Sequence, residues 1–242
     1  MRVKVFKKMY LVILTIFVIL MSSSCKNDDP FHAKESGDWI YTIDDCGEGH
    51  CAILGLSEIG KSKEIIVLPT EIEGLKVSKY GNKKGYLRSD DIVFEKCKKL
   101  YCNSLVLTVL ASFANDGEFI DVFLPDKYSQ LHELYYSFYD DDNANLFFSF
   151  DSYMYGMNKF SSFGTKCHIC NIEYHLNDEN CFFVDNIESG KIEIIPPKPF
   201  KDGCVFDGWY YNDVKWDFNN NLVEDYFDEN NRLRLDAKWI SA

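Results

Sequence analysis

The chain has 242 residues, 46% hydrophobic and 16% aromatic, and 26 Lys+Arg face 38 Asp+Glu for a formal charge of −12. An acidic surface of this kind repels nucleic-acid backbones and anionic headgroups, which sets nucleic acid aside as a partner; most of the charge serves solubility. Roughly 205 ordered residues suit two small domains, with the aromatics supplying core bulk in a chain that has little Ala.

Arg2, Lys4, Lys7 and Lys8 form a basic start, and the 13 residues from Met9 to Met21 are apolar apart from Thr15. A membrane-crossing helix needs about 20 residues, so 1–24 reads as a signal peptide. Ser22-Ser23-Ser24 leads to Cys25 in what resembles a lipoprotein processing site, although Ser22 stands where such sites usually carry Leu. Lipidation of Cys25 is one outcome; plain cleavage or a retained anchor is the other. Under the first, residues 25–37 tether a soluble body to the membrane through the lipid alone. Residues 1–24 hold four of the basic residues and no acidic one, so export moves the formal charge from −12 to −16.

Export also sets the redox compartment. Without Cys25, eight cysteines remain: Cys46, Cys51, Cys97, Cys102, Cys167, Cys170, Cys181 and Cys204. Cys46 and Cys51 flank Gly47-Glu48-Gly49-His50, where a tight hairpin would bring them face to face, and Cys97 and Cys102 repeat the spacing. For these four, disulfides and buried thiols are both open, since spacing does not set connectivity.

From Asp38 the pattern changes to short β-type runs. Trp39–Ile43 and Cys51–Leu54 read as a hairpin, followed by strands at Glu64–Pro69 and Leu75–Val77. Gly55-Leu56-Ser57-Glu58-Ile59-Gly60-Lys61-Ser62 matches the phosphate-loop expression letter for letter. That chemistry needs the loop to open a helix, whereas a β-type run closed by Pro69 follows, and no Asp-ended apolar strand is present to hold Mg²⁺. The segment is predicted to be a turn between two strands.

Tyr41, Ile53, Gly55, Ile66, Leu68, Pro69, Gly74, Val77 and Gly81, then Phe94, Cys97 and Leu100, resemble the opening unit of a BspA-like leucine-rich repeat, with Tyr80 where Ile is usual. The resemblance covers about 60 residues. It implies a degenerate array of three or four rungs, Leu105–Leu110 and Phe119–Pro125 being further strands, with a structural Cys97 and caps at the ends. Leu131, Leu134, Tyr135 and Phe138 follow helical spacing, so Asp126–Tyr139 is predicted helical. Asp140–Asn145 lacks the Gly and bidentate Glu of a calcium loop and reads as a solvated acidic turn. Leu146–Phe150 is a strand closing a module of 38–150, and 151–166 is a linker through Gly156 and Gly164.

Cys167-His168-Ile169-Cys170 has the form of half a zinc site or a redox pair, with Cys181, Cys204 and His175 as the further ligands available. The spacing fits no standard knuckle, and the motif leads into a strand where a redox motif opens a helix. Disulfides or buried thiols are therefore expected, and no metal or other cofactor. His32, His50, His132 and His175 are scattered without the partners of a nucleophile, so the chain is not expected to be an enzyme and no catalytic residue is assigned.

The last third carries the strongest pattern. Pro196-Pro197-Lys198-Pro199, Gly203, Phe206, Gly208-Trp209-Tyr210, Trp216, Phe218 and Ala237-Lys238-Trp239 are similar, in order, to the internalin-type B repeat, also called the Listeria–Bacteroides repeat. Cys204 stands where the first aromatic is usual. The match covers about 70 residues. It implies a small β-grasp-like domain over 167–242, with strands at Ile169–Leu176, Lys191–Ile195, Val205–Tyr211 and Arg232–Ile240 and a helix or turn at Trp216–Val223. Pro197, Gly203, Phe206, Gly208, Trp209, Tyr210, Trp216, Phe218, Ala237, Lys238 and Trp239 would be fold-keeping positions. The whole is expected to be mainly β (α+β), a degenerate leucine-rich-repeat-like β module plus the B-repeat domain. The function implied is that of an exported, lipid-anchored surface protein that adheres to a protein or glycan at a host or bacterial surface. The alternatives are a spacer that forms homodimers and has no ligand of its own, and a Cys/His zinc protein.

Overall fold

The computed structural model describes residues 32–44, 46–80, 96–105, 120–125, 144–160, 166–177 and 181–242, with the backbone alone at 79, 80, 155, 156, 159 and 160. Cys25, Gly81, Phe94, His132, Gly164, the strand expected before residue 110, the helix expected over 126–139 and most of the acidic turn after it lie outside these residues. Ala33–Ala242 form one compact, mainly β unit.

The strands are β1 (Lys34–Ser36), β2 (Trp39–Thr42), β3 (His50–Leu56), β4 (Ile65–Val67), β5 (Glu71–Ile72), β6 (Leu75–Tyr80), β7 (Lys99–Tyr101), β8 (Ile120–Leu124), β9 (Ala144–Phe148), β10 (Lys166–Ile169), β11 (Ile172–His175), β12 (Cys181–Asp185), β13 (Cys204–Tyr211), β14 (Val214–Lys215) and β15 (Leu233–Ser241). Among the described residues two α-helices accompany them, α1 (Glu58–Lys61) and α2 (Phe150–Phe160). Three five-stranded sheets result, ordered β1-β2-β3-β6-β5, β10-β9-β8-β7-β4 and β12-β11-β15-β13-β14.

The first sheet contains the expected hairpin, β2 against β3, with β6 added parallel to β3. The segment expected as a plain turn after β3 is a one-turn helix. Ser57 caps it, accepting from the Gly60 amide at 3.1 Å and donating to the Gly37 carbonyl at 2.8 Å. A Cβ on Gly60 would collide with the Asp38 carbonyl oxygen, so this glycine of the phosphate-loop expression serves a close backbone approach.

The second sheet is parallel throughout, each strand pairing with the next in chain order. In-register pairing stacks equivalent residues into columns. Ile66, Leu100, Val122, Leu146 and Cys167 form one column, against the first core. On the opposite face Tyr101, Phe123, Phe147 and His168 stack ring on ring, with centroids 4.2, 4.7 and 4.8 Å apart. On that same face Lys99, Asp121, Asn145 and Lys166 form a polar column at the strand starts, so it is apolar only along the stacked rings.

The third sheet covers the Tyr101 and Phe123 end of the aromatic column, while His168 at the other end is exposed. Phe183 of β12 stacks on Tyr101 at 5.5 Å, and Tyr174, Phe182, Trp209, Leu235 and Ala237 complete this second core. Polar ties cross the same boundary: Ser104 N–H donates to the Phe182 carbonyl at 3.0 Å, Thr70 Oγ1 to the Lys198 carbonyl at 2.6 Å, and Lys76 pairs with Asp202 at 2.7 Å. Buried Asp185 accepts from Tyr101 OH at 3.1 Å and from the Asn186 amide at 2.8 Å. Burial pushes its carboxyl above the ordinary value, against these hydrogen bonds and the charge of Lys99.

Several local expectations differ from the fold. The stretch expected as a linker begins with α2, and Cys167–Ile169 lie in β10, which extends the parallel sheet rather than the C-terminal one. Lys191–Ile195 forms no strand, since Pro196, Pro197 and Pro199 follow at once and supply no ladder donors. β12 takes that place in the sheet; its five residues are all buried, so it carries no alternation to betray it. The segment after Trp216 turns through a 3-10 helix at Val223–Asp225.

Truncating the centre of the aromatic column, Phe123→Ala, is expected to cost about 3–5 kcal/mol in urea unfolding, as for other buried aromatics. A group whose folded pKa is raised contributes most below its unfolded pKa, and that contribution is lost as pH rises through the folded value. Asp185→Asn keeps an acceptor for Tyr101, so it should gain stability relative to the wild type near neutral pH. That advantage should shrink as the urea series is repeated at about pH 5 and below; a pH-independent difference would contradict the assignment.

Candidate functional site

The inner face of the third sheet is consumed by the aromatic core, so its chemistry lies on the outer face. Along β15, Leu233, Leu235 and Ala237 point inward and are buried, which places Arg234, Asp236 and Lys238 outward by the period of two. Register sets Glu173 of β11 beside Arg234 and His175 beside Asp236. A register shift between β11 and β12 pairs Tyr174 with Phe183 but His175 with Cys181. The shift brings the Cys181 thiol to the face of Glu173 and His175, the re-aiming that bulges produce.

The start of α2 lies over this face. The Phe150 amide donates to Glu173 Oε1 at 2.6 Å, and the Arg232 guanidinium sits 3.7 Å from the centroid of the Phe150 ring. Between the helix start and the sheet runs a cleft of about 400 Å³, lined by Asp151, His175, Tyr211, Asn212, Tyr226, Asp228, Arg234 and Asp236. It continues past Asn177 and Lys238. Arg234 and Asp236 pair at 2.8 Å, with Arg234 more than half exposed, and Lys238 pairs with Asp213 at 3.0 Å.

Beneath the cleft, His175 Nε2 lies 2.9 Å from Glu173 Oε2. Burial pushes the Glu173 carboxyl up, but the hydrogen bonds of His175 and the Phe150 amide, with the charges of His175 and Arg232, outweigh it and hold the group below its ordinary value. The Cys181 thiol is raised well above its ordinary value by burial and then by the charge of Glu173. His175 is 4% exposed, and its Nδ1 has no hydrogen-bond partner among the described residues. A buried polar atom in that condition costs on the order of 1–3 kcal/mol.

The B-repeat-like residues fall mostly elsewhere. Trp209, Trp216 and Ala237 are buried in the second core, and Phe206, Phe218 and Trp239 pack against it. Gly208 sits at the β13 bulge with φ of +156°, where a Cβ would meet Lys215 Cε at 2.5 Å. Pro197 is half-buried in the irregular segment before β13, and Gly203 occupies an exposed turn. Tyr210 and Lys238 stack across the outer face at 4.4 Å.

The eight described cysteines are thiols, not disulfide halves. Cys46 donates to the Asp44 carbonyl in the turn after β2 at 3.3 Å and Cys51 to the Leu75 carbonyl of β6 at 3.8 Å, so the two thiols turn to separate segments. Cys97 and Cys102 are buried in the first core. Of the ligands considered around Cys167-His168-Ile169-Cys170, the fold gathers His175 and Cys181, and the third donor is Glu173. Sequence reasoning passed over Glu173; the available signal was its alternation with His175 in Glu173-Tyr174-His175.

No family model, curated protein or solved structure matches the chain. The residues of the cleft therefore stand on geometry alone.

Arg232→Ala removes the cation over Phe150 and should cost about 0.5–2 kcal/mol, with faster hydrogen exchange concentrated in the first turn of α2. An unchanged exchange profile would mean that Arg232 does not hold the helix start.

Proposed function

We propose that the chain is an exported, lipid-tethered surface protein that binds a protein or glycan without catalysis, and that the outer face of its C-terminal sheet is the binding face. The observation that carries this reading is the cleft between α2 and β15. Amide, carboxylate and guanidinium groups (Asn212, Asp236, Arg234) converge there beside the rings of Tyr211 and Tyr226, a set suited to a hydroxyl-rich or peptide ligand. The leader at 1–24, Cys25 and the B-repeat resemblance support export and anchoring. The sequential parallel strands β7, β8, β9 and β10 support the leucine-rich-repeat resemblance: their register-matched residues Leu100, Val122, Leu146 and Cys167 recur at roughly the 20–29-residue period of such arrays.

A second reading, a dimerising spacer, draws on one feature. Val205 and Ile240 face each other across β13 and β15 on the outer face, 48% and 55% exposed. An exposed apolar pair of this kind suits a second copy.

Deleting either module would uncover the aromatic column, so point variants make the cleaner test. Labelled residues 26–242 should bind saturably to epithelial cells, matrix proteins or immobilised glycans, and the double substitution of Arg234 and Asp236 to Ala should weaken that binding at least about tenfold, or 1.4 kcal/mol. Absence of saturable binding, together with concentration-dependent sedimentation abolished by Ile240→Glu, would replace the adhesion reading by the spacer.

A further inference from the structure

We propose that Glu173, His175 and Cys181 form a binding site for a divalent transition metal of the zinc class, with its fourth position open toward the cleft. A carboxylate oxygen, an imidazole nitrogen and a sulfur from these residues lie within 4.8 Å of one another. Tetrahedral zinc, with bonds of about 2.0–2.3 Å, places its ligands roughly 3.3–3.8 Å apart, so about 1 Å of side-chain movement closes the set.

Two independent observations separate this cluster from a chance gathering of polar groups. One is His175, which is almost completely buried and whose Nε2 lies 2.9 Å from Glu173 Oε2, close to the separation of two ligands on one zinc. With Nε2 and Glu173 both ligating, Nδ1, which has no partner among the described residues, carries the proton of the neutral ring. The other is the register shift between β11 and β12, which puts Cys181 on the face of His175 in place of Phe182. A sulfur beside an imidazole selects a soft or borderline cation over magnesium or calcium.

The surroundings suit a cation. Glu173 and a Cys181 thiolate would be two negative groups in a place that water scarcely reaches, and a divalent ion is the countercharge that lets both ionise, the thiol proton leaving to solvent. His175 and Glu173 both line the cleft, so the open position would take water or a donor atom of whatever occupies it. The site is independent of the adhesion reading: metal could bind to a protein that binds nothing else.

The test uses the full chain, purified under reducing conditions, stripped with chelator and reloaded. About one zinc per chain is expected, and cobalt(II) in its place should give a thiolate-to-metal charge-transfer band. Cys181→Ser should abolish that band, His175→Ala should weaken zinc at least about tenfold, and Glu173→Gln should weaken it while keeping the band. The proposal is overturned by loading that stays below about a fifth of an equivalent without a cobalt band, by a band that survives Cys181→Ser, or by unchanged affinity in Glu173→Gln. Should circular dichroism show that Cys181→Ser does not fold, Cys167→Ser decides. A retained band keeps the metal on the proposed set, and a lost one assigns it to Cys167-His168-Ile169-Cys170.

Discussion

Most of this architecture hangs on the stacked column Tyr101, Phe123, Phe147 and His168. Parallel, in-register strands place each residue above its counterpart in the next, so an aromatic residue at one level pays off only if the neighbouring levels carry one too. Here they do, and the stack is capped laterally by Phe183. Its Tyr101 and Phe123 end is covered by the C-terminal sheet. The two modules suggested by the resemblances are therefore cooperative in their packing: Tyr101 and Phe123 belong to the same buried cluster as Trp209 and Leu235.

That constraint also decides where the chemistry lies. With Tyr174, Phe183, Leu235 and Ala237 committed inward, the alternate residues Glu173, His175, Arg234 and Asp236 must face outward. Helix α2, leaving the end of β9, then turns its first amide onto Glu173 and half-covers the polar face. The result is a partly buried polar cleft built from strands whose other sides are core, so its walls are rigid although its floor is charged. The inner side of the sheet holds the buried carboxylate Asp185, whose hydroxyl partner Tyr101 belongs to the aromatic column itself.

The B-repeat-like positions and the cleft divide the C-terminal sheet between them. Trp209, Trp216 and Ala237 fill the core and Gly208 allows the β13 bulge, while Asn212, Arg234 and Asp236 fall between those positions and line the cleft. Positions that keep the fold mark the core, so the outward residues that line the cleft carry no mark in such a pattern.

The sequence by itself determined the mainly β character, the hairpin of β2 and β3, the strands at Ile65–Val67 and Cys204–Tyr211, and the inward tryptophans, because alternation and turn residues act locally. It misjudged Lys191–Ile195 and passed over Cys181–Asp185, because a fully buried strand has no alternation and an apolar run before prolines imitates one. The Cys46 and Cys51 thiols turn to carbonyls of separate segments, Asp44 in the turn after β2 and Leu75 in β6, although their spacing suits a hairpin bridge. Only the tertiary structure decided that α2 would close over the outer face and that Glu173, His175 and Cys181 would meet. Both depend on strand register and a bulge between segments that share no local signal, and register is settled by which face finds a core to enter.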